Sequence, residues 1–291
     1  MPKSSASVKV SILIPAYNHA AGVARVLETV IDRNNGLEVI VFDDSTSAEV
    51  RHTVAAYKNA FESLIYQNNQ ETLGKTLGAP DNWNALLDAA SGEFVMLMHH
   101  DEYPLSTSFY DEMSEAIANN PSADVFLLGL RLVDRYASPL RMHAPYWLRY
   151  LTSSRFPGYL FRRNVIGPTG TLVIRREIVP RFSANLKWLV DVEFYFKLFS
   201  SDIDVVACPH AIIGSVQGEH QSITEMLGAD IDEIERRELR DLALSFGGRS
   251  IWLLPTLGWV ARALELTPWT IWRCISKVHF HIATAVGQRR Q

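Results

Sequence analysis

Between Gly92 and Glu102 the chain reads GEFVMLMHHDE. Phe94 to Met98 are consecutive apolar residues and predict a buried strand. The run ends at His99, His100, Asp101 and Glu102, so four metal-competent side chains stand where a buried strand emerges. In open α/β sheets, ligands bind in the crevice outside the carboxyl ends of the strands. Carboxylate oxygens at that place suit Mg²⁺ or Mn²⁺, and those ions bind diphosphates. The plainer reading is a polar turn that closes a strand. Two further acidic sites carry the same ambiguity. Asp43 and Asp44 end the run Leu37 to Phe42, and Asp191 and Glu193 lie in WLVDVEFY. Asp44 or Asp191 could cap a helix. Residues two apart do not share a helix face, so Asp191 and Glu193 cannot both face one site.

The elements that position these residues alternate. Val8 to Ile14 predicts a strand, Pro15 to Asn18 a loop, and Ala20 to Ile31 a helix with Val23, Val26, Leu27 and Val30 on one side. Leu37 to Phe42 is a strand, Val50 to Phe61 a helix and Ser63 to Gln67 a shorter strand. Asn68 to Pro80 is a polar loop, with Gly74 and Gly78, free to move over a ligand. A helix around Asn82 precedes the Phe94 strand. Then follow a helix over Leu105 to Asn119 and strands over Asp124 to Val133 and Thr171 to Ile174. A helix over Lys187 to Phe199 leads to a strand over Asp202 to Cys208. An apolar run from Ile212 to Val216 is followed by a helix over Ile223 to Phe246. Such alternation predicts a mostly parallel sheet.

The pattern NWNxLLxAAxGEFVxLxHHDE resembles the centre of family 2 glycosyltransferases of the GT-A fold. There a helix leads through a Gly-Glu turn and a strand to a metal-binding DxD signature. The DxD positions here are His99, His100 and Asp101, with His in place of the first carboxylate. The resemblance implies Asp101 as metal ligand, with His99 beside it and His100 on the nucleotide-sugar side. Three more motifs fit, and together the matches span residues 8 to 224. SILIPAYN resembles the opening strand and implies that Pro15, Tyr17 and Asn18 contact the nucleotide. VFDDST resembles the base-binding Asp pair; Asp43 and Asp44 stand there, and Asp44 is the choice for the base. A carboxylate that only accepts suits an imide or amide N–H. WLVDVEFY resembles the acceptor-side motif and implies Asp191 as general base, with Glu193 in support. GEHQSIT resembles a late motif in which His220 binds metal or phosphate, although Gly218 replaces its Arg. Asn82 and Asn84 line the nucleotide side by the same resemblance.

The remaining chain bounds this reading. Its 291 residues suffice for one large α/β domain with an appendage. The net charge of −4 argues against a nucleic-acid partner. Cys208 and Cys274 stand far apart, which fits a reducing compartment. The N-terminal residues do not read as a signal peptide, and no stretch is long and apolar enough to span a membrane. Residues 131–165 hold seven Arg (131, 135, 141, 149, 155, 162, 163), one acid and seven aromatic residues. This segment could meet a sugar, a phosphate or an anionic membrane, or be a solvated insertion. From Arg249 on, four Trp and six Lys or Arg accompany the single acid Glu265. That suits a membrane surface, or a pair of helices packed on the domain or another subunit.

The expectation is a GT-A domain over 1–246, a Rossmann-like, mostly parallel sheet flanked by helices. Residues 8–104 bind the nucleotide sugar, 105–246 bind the acceptor, and 247–291 form an amphipathic helical tail. The implied activity is inverting transfer from a nucleoside-diphosphate sugar, with Mg²⁺ or Mn²⁺, to a saccharide or lipid-linked saccharide in surface polysaccharide or glycolipid synthesis. The expected place is the cytoplasm or the inner membrane face, and a homo-oligomer is left open. Two rivals remain. A non-catalytic nucleotide-sugar binder or scaffold fits His99 and Gly218. A nucleotidyltransferase is disfavoured, because PAYNHAAG has no Lys or Arg to grip a triphosphate.

Overall fold

The computed structural model describes residues 10–30, 36–217 and 228–246. The strands are β1 (Val10–Ala16), β2 (Leu37–Asp43), β3 (Leu64–Asn68), β4 (Phe94–Leu97), β5 (Glu102–Pro104), β6 (Val125–Val133), β7 (Pro139–Met142), β8 (Leu172–Arg175) and β9 (Val205–Val216). The α-helices are α1 (Ala20–Val30), α2 (Glu49–Tyr57), α3 (Asn69–Leu73), α4 (Ala79–Ala89), α5 (Phe109–Asn119), α6 (Tyr146–Ser154), α7 (Val190–Phe199) and α8 (Ile231–Ser245). Among the described residues the strands form one sheet in the order β3-β2-β1-β4-β8-β6-β9-β5, with β7 paired to β6. β3, β2, β1 and β4 run parallel. β8 enters antiparallel to both β4 and β6, and β6 pairs in parallel with β9.

Helices cover both faces, so the central strands are apolar on both sides. Ile12 and Ile14 of β1 point into one core with Val23, Val26 and Met96. Leu13, between them, points into the other core with Ile40, Trp83, Leu86 and Leu97. The carboxyl ends of β1 to β4 lie on one edge, which is where the sequence places its carboxylates.

Several boundaries differ from expectation for identifiable reasons. β1 continues through Pro15 and Ala16, residues read as loop, and Pro15 sits opposite Phe42. Leu13 accepts a hydrogen bond from the Met98 amide, so Pro15, two residues on, directs its missing N–H beyond the last residue of β4. The expected loop over Asn68 to Pro80 contains α3, capped by the Asn68 side chain. The helix read from Leu105 begins at Phe109, because Leu105 still donates its amide to the Ile212 carbonyl of β9 at 3.0 Å and the chain turns at Ser106, which accepts from the Phe109 amide. The two runs around Pro209 are one strand, β9. A register shift opposite Leu128 and Gly129 takes up Pro209 to Ala211. A Cβ on Gly129 would stand 2.6 Å from the Pro209 carbonyl oxygen, so glycine lets that bulge approach.

The opposite end of the sheet is tied by one buried acid. Glu38 of β2 accepts hydrogen bonds from Ser11 Oγ at 2.5 Å, the Ser91 amide at 2.8 Å and Ser91 Oγ at 2.7 Å. Ser11 Oγ in turn accepts from the Gly92 amide at 2.9 Å. This network fixes where β4 starts, and hence where it delivers residues 99–102. Glu38→Leu should lower stability by about 3 kcal/mol or more, because it strands several buried donors. Denaturant unfolding, with Glu38→Gln retaining part of the loss, checks this.

Candidate active site

The turn after β4 sets the centre of the site. The Glu102 amide donates to the His99 carbonyl at 3.0 Å, and Val216 at the end of β9 donates to the Asp101 carbonyl at 2.8 Å. The backbone of Asp101 is therefore held from β4, β5 and β9 together. The two histidines splay. His99 packs edge-on against Trp83 of α4, with ring centroids 4.9 Å apart. His100 stacks on His19 at 4.6 Å, at the start of α1. Gly22 permits that approach, because a Cβ there would stand 2.5 Å from the His100 carbonyl oxygen.

His99, His100 and Asp101 line a cavity of about 540 Å³ together with Trp83, Glu102, Arg163, Thr169, Lys187 and Asp191. Asp101 and Asp191 come from segments ninety residues apart and share this space. Asp191 lies in the first turn of α7, and the cap position is Leu189, so Asp191 does not act as an N-cap. Its carboxyl is pushed up to about 7, first by loss of water and then by the charge of Asp101. Glu102 is fully buried and held well above the usual carboxylate range, chiefly by burial and next by Asp101. It accepts from the Gly170 amide at 2.9 Å, and glycine is required there because a Cβ would overlap Glu102 Oε2. Burial lowers His99 to about 4, with the Asp101 charge opposing, so its imidazole is neutral at pH 7. Glu193 points elsewhere: it accepts from Ser183 Oγ at 2.7 Å and pairs with Lys197 at 2.8 Å.

One residue that positions the site has no sequence signal. Glu238 of α8 is buried and accepts from the amides of Lys187, Trp188 and Leu189 at 2.6, 3.1 and 2.8 Å. These donors immediately precede α7, so a carboxylate from a distant helix fixes the start of the helix that carries Asp191. Thr169, in the Gly167-Pro168-Thr169-Gly170 turn, has a buried hydroxyl on the cavity wall with no hydrogen-bond partner among the described residues.

Of the nucleotide-side candidates His100 lines the cavity, whereas Pro15, Tyr17, Asn18, Asp43 and Asp44 gather at the ends of β1 and β2, outside the residues that line it. Tyr17 is exposed. Asn18 adopts a left-handed backbone (φ 48°), donates its amide to Ser45 Oγ at 2.7 Å, and has a buried Oδ1 without a partner among the described residues. Asp43 accepts from the Ser45 amide and Tyr66 hydroxyl at 2.8 and 2.7 Å, and from Asn68 Nδ2 at 3.3 Å. Asp44 accepts from Asn69 Nδ2 at 2.7 Å and from the amides of Leu77 and Gly78 at 3.0 and 2.8 Å. It therefore anchors the end of the 69–78 segment, and the cap position of α2 belongs to Ala48. Asn82 joins this network, accepting from Asn69 Nδ2 at 3.0 Å and donating to the Phe42 carbonyl at 3.1 Å. Asn84 uses both ends of its amide on the Phe182 backbone, at 2.9 and 3.0 Å. His220 and the tail from residue 247 lie outside the described residues.

No group of three or more His, Cys, Asp or Glu side chains able to hold a metal occurs among the described residues. Asp101 with a neutral His99 still fits an ion that takes one or two protein ligands and completes its shell from substrate phosphates. Among the described residues no helix is long and apolar enough to cross a membrane.

Comparisons with known proteins bear on this geometry. The sequence model described as Glycosyl transferase family 2 matches residues 11–181, more than half of the chain. A Campylobacter jejuni protein named GalNAc(5)-diNAcBac-PP-undecaprenol beta-1,3-glucosyltransferase is 29% identical over 119 residues, which is 40% of this chain and 37% of that protein. The chain thus spans well under half the length of this relative. The 1-349 form of S. aureus TarS in complex with UDP-GlcNAc superposes with a TM-score of 0.60 at 20% identity, over 78% of this chain and 64% of that one. A second structure of the same TarS 1-349 form gives 0.58 at 20% identity, over 89% and 74%. The fold is GT-A, as the motifs implied.

Two outcomes follow from the site. The carboxyl of Asp191 titrates near 7 when folded and near 3.8 when unfolded, so between these values the folded state binds the extra proton. Stability therefore falls as pH rises through that window. In metal-free buffer, Asp191→Asn should unfold like the parent near pH 4 and be progressively more stable than it up to about pH 7, with the gain level above, read by thermal unfolding. Glu238→Ala should cost about 3 kcal/mol, since three buried amides lose their acceptor. Denaturant unfolding reads that loss, and Glu238→Gln should restore part of it.

Proposed function

The chain belongs to glycosyl transferase family 2, and on that premise we propose that it moves a sugar from a nucleoside-diphosphate donor to an acceptor hydroxyl with inversion. The observation that carries this is the meeting of Asp101 and Asp191 in one cavity at the carboxyl edge of the sheet. An acceptor hydroxyl has a pKa far above neutral and needs a base as it attacks. A carboxylate that ionises near pH 7 combines basicity with availability, which is the role assigned to Asp191. Asp101, assisted by His99 and by His220, would hold Mg²⁺ or Mn²⁺. Such an ion supplies charge neutralisation of a diphosphate leaving group. Tyr17, Asn18, Asp44 and His100 would face the nucleotide. Asn18 Oδ1 offers an unused acceptor, and Asp44 would serve the base through lone pairs beyond the three bonds it already accepts.

The acceptor class is drawn from the C. jejuni relative, whose name specifies a PP-undecaprenol-linked saccharide. The donor panel starts from UDP-sugars because the TarS structures hold UDP-GlcNAc and UDP. The setting proposed is synthesis of a lipid-linked or surface polysaccharide.

Calorimetric titration of nucleoside diphosphates and their sugars, with and without Mn²⁺, tests the reading. One donor family should bind with metal, and Asp101→Asn should abolish that dependence. Asp191→Asn should keep donor binding and lose turnover by about 10²–10⁴-fold. Turnover of the parent should rise with pH through about 7, as the base loses its proton. Turnover unchanged in Asp191→Asn would overturn the assignment, and donor binding without turnover in the parent would identify a non-catalytic binder.

A further inference from the structure

Helix α6 is built inside out. It buries Arg149, Thr152 and Ser153 and turns Trp147, Tyr150 and Leu151 to solvent, at 58%, 38% and 38% exposure. Those three stand at i, i+3 and i+4, so they form one face. Phe156, just past the helix, is 61% exposed beside the exposed Arg155. The inward face is polar for a structural reason. Arg149 donates through Nη1 to the Leu128 carbonyl at 2.7 Å and through Nε to the Ile166 carbonyl at 3.1 Å, tying α6 to β6 and to the 164–169 turn. Single exposed apolar residues need no explanation. An aromatic face on a helix whose polar side is buried does.

Charge selects the occupant. The segment 131–163 carries seven Arg against Asp134, and with Arg149 buried the exposed ones include Arg135, Arg141, Arg155, Arg162 and Arg163. The C-terminal residues from Arg249 are also basic, with six Lys or Arg against Glu265, so they would meet this surface with like charge. A second copy placed face to face would do the same. Tryptophan and tyrosine rings beside arginine match the headgroup zone of an anionic bilayer, where the rings enter the boundary and the guanidinium groups meet phosphates.

We propose that the α6 face, Trp147, Tyr150, Leu151 and Phe156 with Arg155, docks the protein on an anionic lipid surface. The turn Pro157–Phe161 continues directly from Phe156, and Leu160, Phe161, Arg162 and Arg163 line the cavity. The docked face is thus joined to the cavity wall by a few residues, a path suited to an acceptor carried in the membrane. The inference rests on the proposed glycosyltransfer only for what the surface brings to the cavity, and vesicle binding is read without turnover.

Co-sedimentation of the full chain with vesicles of phosphatidylcholine, and of phosphatidylcholine mixed with phosphatidylglycerol, tests it. The parent should bind the anionic vesicles only, and less as salt rises. The double variant Trp147→Ser/Phe156→Ser should partition about tenfold or more weakly, with unchanged thermal unfolding and donor binding. Equal partitioning of parent and variant would overturn the proposal by placing the contact elsewhere, the C-terminal residues included. Indifference to phosphatidylglycerol would overturn it as well. So would a parent dimer that the variant dissociates in light scattering, since a second copy would then own the face. Donor binding absent from parent and variant alike would remove the proposed function and leave the vesicle result standing.

Discussion

The structure turns on holding like charges together in a cleft that water has partly left. Asp101, Glu102 and Asp191 face one cavity, and burial and mutual repulsion both oppose ionisation of Glu102 and Asp191. Such an arrangement persists only where the surroundings fix each group. The turn after β4 is pinned by β1, β5 and β9, the Gly170 amide meets Glu102, and Glu238 holds the three amides in front of α7. The two cores on either side of the sheet make that frame stiff enough to carry the cost.

A second polar system occupies the neighbouring strand ends and obeys the opposite rule. Asp43 and Asp44 are buried, yet each accepts three hydrogen bonds from backbone or side-chain donors, so burial there leaves the carboxylates well solvated by the protein. The 69–78 segment is thereby folded down onto β2 and β3. The two systems adjoin through the His19 and His100 stack, where α1 meets the turn after β4. One half of the edge is thus densely hydrogen-bonded and shape-defining, and the other is electrostatically tense.

α6 links that tense half to the exterior. A buried arginine that spans from β6 to the 164–169 turn forces the polar side of a short helix inward, and its aromatic side is left outside. Cavity wall and exposed face are consequences of one packing decision, which is why a substitution on the inward side would be felt at both.

The alternating elements, and the edge on which chemistry sits, are legible in the chain alone. Buried strands must be apolar, so the points where Phe42 gives way to Asp43 and Met98 to His99 are visible in any reading of the chain. The motifs around Asp101 and Asp191 also carried the fold. Which acids are structural and which face the cavity depends on packing between distant segments. Asp43 and Asp101 look alike as strand-ending carboxylates, and the donors that occupy Asp43 include Tyr66 and Asn68, residues brought close by packing. Glu238 lies on a charged helix where nothing marks it, because its partners are backbone amides some fifty residues away. Arg149 reads as one of seven basic residues of a solvated stretch, and its burial depends on carbonyls of β6 and Ile166. β5 and the joined halves of β9 were equally illegible, since a three-residue strand and a bulged one exist only through their neighbours. Local pattern reports whether a residue is buried in its own element, and the partner that makes burial tolerable is chosen by the fold.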